Sequence, residues 1–204
     1  KYRLVGSEMC IRDSFDAGNK WSKESLFAVG GLMKHAEALT SITCSTVNSY
    51  NGLVPRVGGF EGGTVTWAPT NITYGHNNRS AQFRLPQNRY CIENRAADMT
   101  MNVYLAFSMT LAAAVEGIKM KIHPGKPTDQ DLYNMTDKEF KKLGIKRLPR
   151  NLLMALEALK NDKLSDEVIG TVMKNSLLAY KNDEWERYHQ AVTDWEVKEY
   201  LRLY

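Results

Sequence analysis

Cysteine is scarce in this 204-residue sequence: Cys10, Cys44 and Cys91 are odd in number and show no C-x-x-C spacing. That excludes a disulfide framework and the usual structural zinc pattern, and it fits a reducing, cytoplasmic setting. Charge of one sign is also missing. Lysine and arginine total 27 against 23 acidic residues, a formal +4 with no long basic run, so nucleic acid is not an expected partner. Long apolar runs are absent as well. The longest, Val103 to Val115, contains Ser108 and Thr110 and is shorter than the ~20 residues that cross a bilayer. It reads as a buried core helix, with no membrane partner. No internal repeat or low-complexity tract is present. Without a secretory signal, the sequons at Asn71, Asn78 and Asn134 are read as chance. What is present is 43% hydrophobic residues, enough for the core of one domain or a large part of one.

Taken in order, residues 1–14 have no initiator methionine and neither a helical nor a strand period. Ser7 to Ser14 resembles a translated sequencing-adapter read, which would make the segment non-native; a disordered terminus is the alternative. Ser22 opens a helix whose stripe is Leu26, Phe27, Gly30, Met33 and Leu39, broken at Gly30-Gly31. His35 lies in it, as a ligand or proton carrier or, the favoured reading, as a hydrogen-bonded structural imidazole. Thr40 to Val47 is a loop or the close of that helix. Asn51 to Gly63 carries five of the fourteen glycines and reads as a long functional loop.

Thr64 to Tyr74 is β-prone but interrupted by Pro69, which predicts an edge or bent strand. Two strands follow, giving an antiparallel meander with turns at residues 75–78 and 86–88. Asn102 is an N-cap for a helix to about Lys121 that buries Leu105, Met109, Ala112 and Ala113. Helices are expected beyond it at 136–143, 149–160 and 165–173, with a last long one from Asp183. Trp185, Tyr188, Val192 and Trp195 recur along that last helix as a packing stripe. The fold class is α+β, an antiparallel sheet portion backed by a helical C-terminal region.

Residues 77–95 concentrate the chemistry: Arg79, Arg84, Arg89 and Arg95 with one carboxylate, Glu93. Residues two apart in a strand share a face, so Glu93 and Arg95 project together. A carboxylate holds a hard cation through oxygen, and guanidinium offers permanent planar donors to phosphate or carboxylate. Arg79 and Arg84 are five apart, which in a straight strand puts them on opposite faces. Either Arg79 precedes the strand or a bulge shifts the register.

Several motifs now resemble one family in order and spacing. They are Gly30-Gly31-Leu32-Met33-Lys34-His35-Ala36, Thr46 to Tyr50, Asn78-Arg79-Ser80-Ala81 with Arg84-Leu85-Pro86, Ile92 to Arg95, and Asn102 to Phe107. Together with Val192 to Glu196 they resemble the C-terminal half of the glutamine synthetase catalytic domain, from about Phe15 to Tyr204. Trp67-Ala68-Pro69 and Tyr74 to Arg79 look most like the γ-glutamylmethylamide synthetase-type branch. The resemblance implies an ATP-dependent ligase that forms a γ-glutamyl amide from glutamate and ammonia or a small amine through γ-glutamyl phosphate, with Mg2+ or Mn2+. By motif position Glu93 would ligate a metal, Arg95 and Arg79 would hold glutamate and the transferring phosphoryl group, and Arg84 would contact ATP. Family members form homo-oligomeric rings.

This sequence departs from the family at several positions. Gly52 stands where an arginine is usual, with Arg56 or Arg95 as stand-ins, and Cys91 replaces a phosphate-binding arginine, with Arg89 as its substitute at ATP. Glu61 is the candidate for the catalytic flap glutamate, and Tyr133 matches a tyrosine that some bacterial members adenylylate. The family's amino-terminal β-grasp domain and the first half of its catalytic domain have no counterpart in these residues. A fragment inactive by itself is therefore expected. The alternative is a non-catalytic homologue with a structural or regulatory role, motivated by Gly52 and Cys91.

Overall fold

The structure, a computed structural model, describes residues 21–53, 68–88, 91–130, 132–133 and 135–201. Helix α1 (Lys23–Lys34) starts where predicted, because the Ser22 hydroxyl accepts the Ser25 amide, and it ends at His35, where α2 (Ala36–Thr43) begins. A 3-10 helix, Val47–Gly52, follows; residues 40–43 thus close a helix. Of the expected stripe Gly30 and Leu39 are buried, but Leu26, Phe27 and Met33 are only half-buried, and the core side of this segment is carried by Ala28, Val29, Leu32 and Ala36 instead. Gly30 and Gly31 do not break α1; they let other backbone approach it closely.

The sheet contains β1 (Asn71–Gly75), β2 (Ala81–Arg84), β3 (Glu93–Asn94) and β4 (Lys146–Arg147), in spatial order β3-β2-β1-β4. It is mixed. β2 and β3 are antiparallel as expected, but β1 and β2 run parallel, so the first turn is not a hairpin. Parallel strands ordinarily need a crossover of about a dozen residues. Here the five residues 76–80 suffice, since they can reach about 17 Å and β1 is only about 13 Å long. Distant residues hold this return in place: Asp129 accepts the His76 amide at 2.6 Å and meets its ring at 2.9 Å, while the Asn78 amide donates to the carbonyls of Thr128 and Gln130. β1 is also interior rather than an edge, and its register against β2 shifts between Asn71 and Tyr74. Pro69 precedes the strand and removes no ladder donor. Asn71 and Asn78 are buried, so neither sequon is open to glycosylation.

Helix α3 (Val103–Met120) is capped by Asn102, whose side chain accepts the amides of Tyr104 and Leu105. By length and composition it is apolar enough to cross a membrane, but one face packs on α1 through Met109, Ala113 and Gly117. The other face, Tyr104, Phe107, Leu111 and Val115, is exposed, and Leu105 and Ala112 are only half-buried; α3 is half a core helix. Helix α4 (Asp137–Leu143) begins with a Thr136–Glu139 capping box and ends at Gly144 in the left-handed region. Then come α5 (Leu152–Asn161), α6 (Lys163–Ile169), α7 (Thr171–Gln190) and α8 (Asp194–Tyr200). α7 starts twelve residues before the expected Asp183. The chain leaves the helix at residues 191–193, so Tyr188, Val192 and Trp195 form no packing stripe and are exposed; Trp185 alone of the four packs on the core.

Candidate functional site

The cross-strand register fixes the site. Arg84 pairs with Glu93 and Phe83 with Asn94, so the antiparallel ladder sets Gln82 against Arg95, where the Arg95 amide donates to the Gln82 carbonyl at 2.8 Å. Alternation then puts Gln82, Arg84, Glu93 and Arg95 on one face. Phe83 and Leu85 point the other way into the core. Arg84 Nη1 lies 3.2 Å from Glu93 Oε2 and Arg95 Nε 3.6 Å from Glu93 Oε1, so two guanidinium groups bracket one carboxylate. The cluster is largely enclosed: the side chains of Glu93, Arg95 and Arg84 are 8%, 13% and 18% exposed. One carboxylate and two guanidiniums leave a local excess of positive charge that suits an anion.

Arg79 lies in the return before β2, which resolves the five-residue parity, and its backbone carbonyl accepts a hydrogen bond from Arg95. Arg79 is an exposed residue of that return. The Asp129 carboxyl is held below its usual value: burial opposes this, but the hydrogen bonds from His76 outweigh it. Glu61, Arg56 and Arg89 lie outside the described residues. Gly52 is described, and no atom of the described residues lies within 4 Å of a Cβ built there. Cys91 is buried two residues before Glu93. The Tyr133 hydroxyl donates to the Ala68 carbonyl at 2.5 Å, so it is engaged within the fold.

A metal fits this face in one way only. Among the described residues no group of three or more His, Cys, Asp or Glu side chains forms a cage, and Glu93 is the carboxylate of the cluster. A small hard cation that keeps most of its water and shares ligands with phosphates needs only one or two carboxylates, as Mg2+ commonly does. The arginines beside Glu93 would supply the phosphate contacts.

His35 is the structural imidazole. It is buried between Asp162 Oδ2, 2.5 Å from Nδ1, and Glu116 Oε2, 2.6 Å from Nε2, and so ties α1 to α3 and to the start of α6. The groove between β1, residues 124–130 and residues 142–145 contains none of Arg84, Glu93 or Arg95.

The sequence pattern of the glutamine synthetase catalytic domain matches residues 7–200 of this chain. The chain belongs to the glutamine synthetase family. It is 40% identical over 186 residues to a glutamine synthetase of Methanocaldococcus jannaschii, covering 90% of this chain and 39% of the relative. It is 41% identical over 200 residues to a glutamate–methylamine ligase of Methyloversatilis universalis, covering 98% and 44%. Among solved structures, a GmaS/ADP complex superposes with a TM-score of 0.77 at 33% identity, over 92% of this chain and 41% of the other. GmaS without ligand gives 0.73 at 32% identity, over 91% and 40%. The chain thus spans about two fifths of the length of the relatives it matches. The α+β architecture with a helical C-terminal region is that of these neighbours, with a mixed sheet in place of the expected antiparallel one.

Sequence reasoning missed Gln82. Its signal was available: it stands two residues before Arg84 in an alternating strand and so shares that arginine's face.

Proposed function

We propose that this chain carries the phosphate- and metal-facing part of an ATP-dependent glutamate ligase that makes a γ-glutamyl amide from glutamate and ammonia or a small alkylamine. The observation that supports this most directly is the bracketing of Glu93 by Arg84 and Arg95 on one enclosed sheet face. In this reading the γ-carboxylate of glutamate takes the γ-phosphoryl group of ATP, releasing ADP. The amine then displaces phosphate from the acyl phosphate and gives up a proton. Arg84 and Arg89 hold ATP phosphates, Arg79 stabilises the phosphoryl group in transfer, Arg95 with Arg79 holds glutamate, and Glu61 accepts the amine proton. Glu93 holds Mg2+ or Mn2+, which neutralises phosphate charge. Catalysis of this kind is positioning and charge neutralisation, and guanidiniums with a metal-binding carboxylate supply both.

The working protein in this reading is a cytoplasmic homo-oligomeric ring. The 204-residue chain alone binds nucleotide but does not turn over, because the cluster has one carboxylate among the described residues and the chain covers about two fifths of its relatives. Phosphate release measured with glutamate, ATP, magnesium and either ammonia or methylamine tests this. No release above background is expected, and robust turnover by this chain would refute that part of the proposal.

A further inference from the structure

Gln82 is fully buried, yet neither its Nε2 nor its Oε1 has a hydrogen-bond partner among the described residues, and the buried Nε of Arg84, on the same face, has none either. Buried side-chain amides are nearly always paired, so both ends left open in one strand mark a place where a polar group belongs. The register puts that place opposite Arg95 and beside Arg84, whose side chain is the most exposed of the three in the cluster. An anion drawn to Arg84 satisfies Nε2, which can only donate. It leaves Oε1 open, because an anion offers no proton. Oε1 needs a donor that arrives with the anion, and the hydration water of a cation held at Glu93 is one.

We infer that Gln82 is a ligand-binding residue of this site. Its amide donates to a phosphate oxygen, and its carbonyl accepts from the hydration shell of the divalent cation that accompanies that phosphate. The inference rests on the nucleotide-binding reading of the Arg84–Glu93–Arg95 face and adds to it a neutral residue that recognises the phosphate–cation pair rather than either charge alone. A second consequence separates it from a structural role. If the amide waits for a ligand, replacing it by an apolar side chain of similar length relieves the empty protein of two unpaired polar atoms. Binding then weakens while the fold gains.

The test is calorimetric titration of Mg·ADP into the 204-residue chain, with thermal melting of the ligand-free protein, for the wild type, Gln82→Met and Gln82→Glu. Gln82→Met is expected to bind Mg·ADP ~10-fold more weakly and to melt at the same temperature or a few degrees higher. Gln82→Glu keeps an acceptor but loses the donor and adds charge, so it too is expected to lose affinity for ADP while remaining folded. Wild-type affinity in both variants would overturn the inference and leave the nucleotide reading standing. A lower melting temperature for Gln82→Met with unchanged ADP affinity would mean that the amide is satisfied inside the fold, and would also overturn it. If Gln82→Met does not fold, the affinity of Gln82→Glu decides. A wild-type chain that does not bind Mg·ADP would remove both readings.

Discussion

Replacing Gly31 by alanine puts a methyl group where two helix backbones touch. A Cβ built on Gly31 falls 2.0 Å from the Ala113 carbonyl oxygen and 2.7 Å from Gly117 Cα, and one built on Gly117 falls 2.2 Å from the Phe27 carbonyl oxygen. Carbon–oxygen contacts settle near ~3.3 Å, so α1 and α3 must part by about 1.3 Å. No rotamer escapes this, since the obstructing atoms are backbone on rigid helices. A gap of that size forfeits about half of the dispersion energy between facing atoms, here Ala28, Leu32, Met109 and Ala113. Overpacking commonly costs about 1–3 kcal/mol, and this site belongs at or above the top of that range. Alanine's better helix propensity returns about 1 kcal/mol. The net loss is about 2 kcal/mol or more, which for a chain of this size lowers Tm by at least about 4–8 °C. Gly52→Ala is the matched control, because its Cβ meets nothing among the described residues, and it should stabilise by about 0.4–1 kcal/mol. Melting followed by far-ultraviolet circular dichroism reads both. A Gly31→Ala protein melting within about 2 °C of wild type would refute the close-packing argument.

His35 makes stability depend on pH. Burial alone would lower its pKa, but the hydrogen bonds and charges of Asp162 and Glu116 raise it above 6.5. Its contribution is therefore complete below pH 6.5 and is lost as pH rises through the higher folded value. Once neutral, the ring can donate to only one of the two carboxylates. Asp162 and Glu116 are held below their usual values, with the bonds from His35 and, at Glu116, Lys34 outweighing burial, so their contribution disappears only as pH falls through those lowered values. The urea midpoint should fall as pH is raised above 6.5. In His35→Gln it should be lower at that pH, by about 3 kcal/mol of stability, and flatter across the range. An unchanged pH profile in the variant would count against the ion triad. Burial pushes the Cys44 thiol up to about 12, so iodoacetamide at mildly alkaline pH should label Cys44 only after denaturation, and rapid native labelling would show the helix α2 region to be open.

Features set by local chemistry were legible in the sequence. The caps at Ser22, Asn102 and Thr136 depend on a side chain reaching an amide two or three residues on, and each starts a helix where expected. The shared face of Glu93 and Arg95 follows from strand alternation alone. Features set by distant residues were not legible. The parallel return of residues 76–80 is held by Thr128, Asp129 and Gln130, about fifty positions away, and no local signal separates it from a hairpin. α7 starts behind Gly170, a residue that reads as a stop, and Val172 and Met173 in its first turn are exposed rather than packed, so no apolar stripe marks its start. Which face of α3 is covered depends on what packs against it, and apart from Met109 that face carries small residues such as Ala113 and Gly117, while large apolar side chains such as Tyr104, Phe107 and Leu111 lie on the exposed one. The motif resemblance located Arg84, Glu93 and Arg95, but the register of β2 against β3 was needed to bring Gln82 among them.

The central claim is that Glu93 serves a phosphate-bound cation and that the arginines beside it serve the phosphates. Titrating ADP with and without magnesium into the wild type and Glu93→Gln tests this most directly. In the wild type, magnesium should strengthen ADP binding ~10-fold or more, because the carboxylate repels bare phosphate and holds the cation. In Glu93→Gln, Arg84 and Arg95 are released to the phosphates. ADP alone should then bind at least as well as to the wild type, with magnesium adding little. A variant that keeps the full magnesium dependence, or a wild type indifferent to magnesium, would contradict the account.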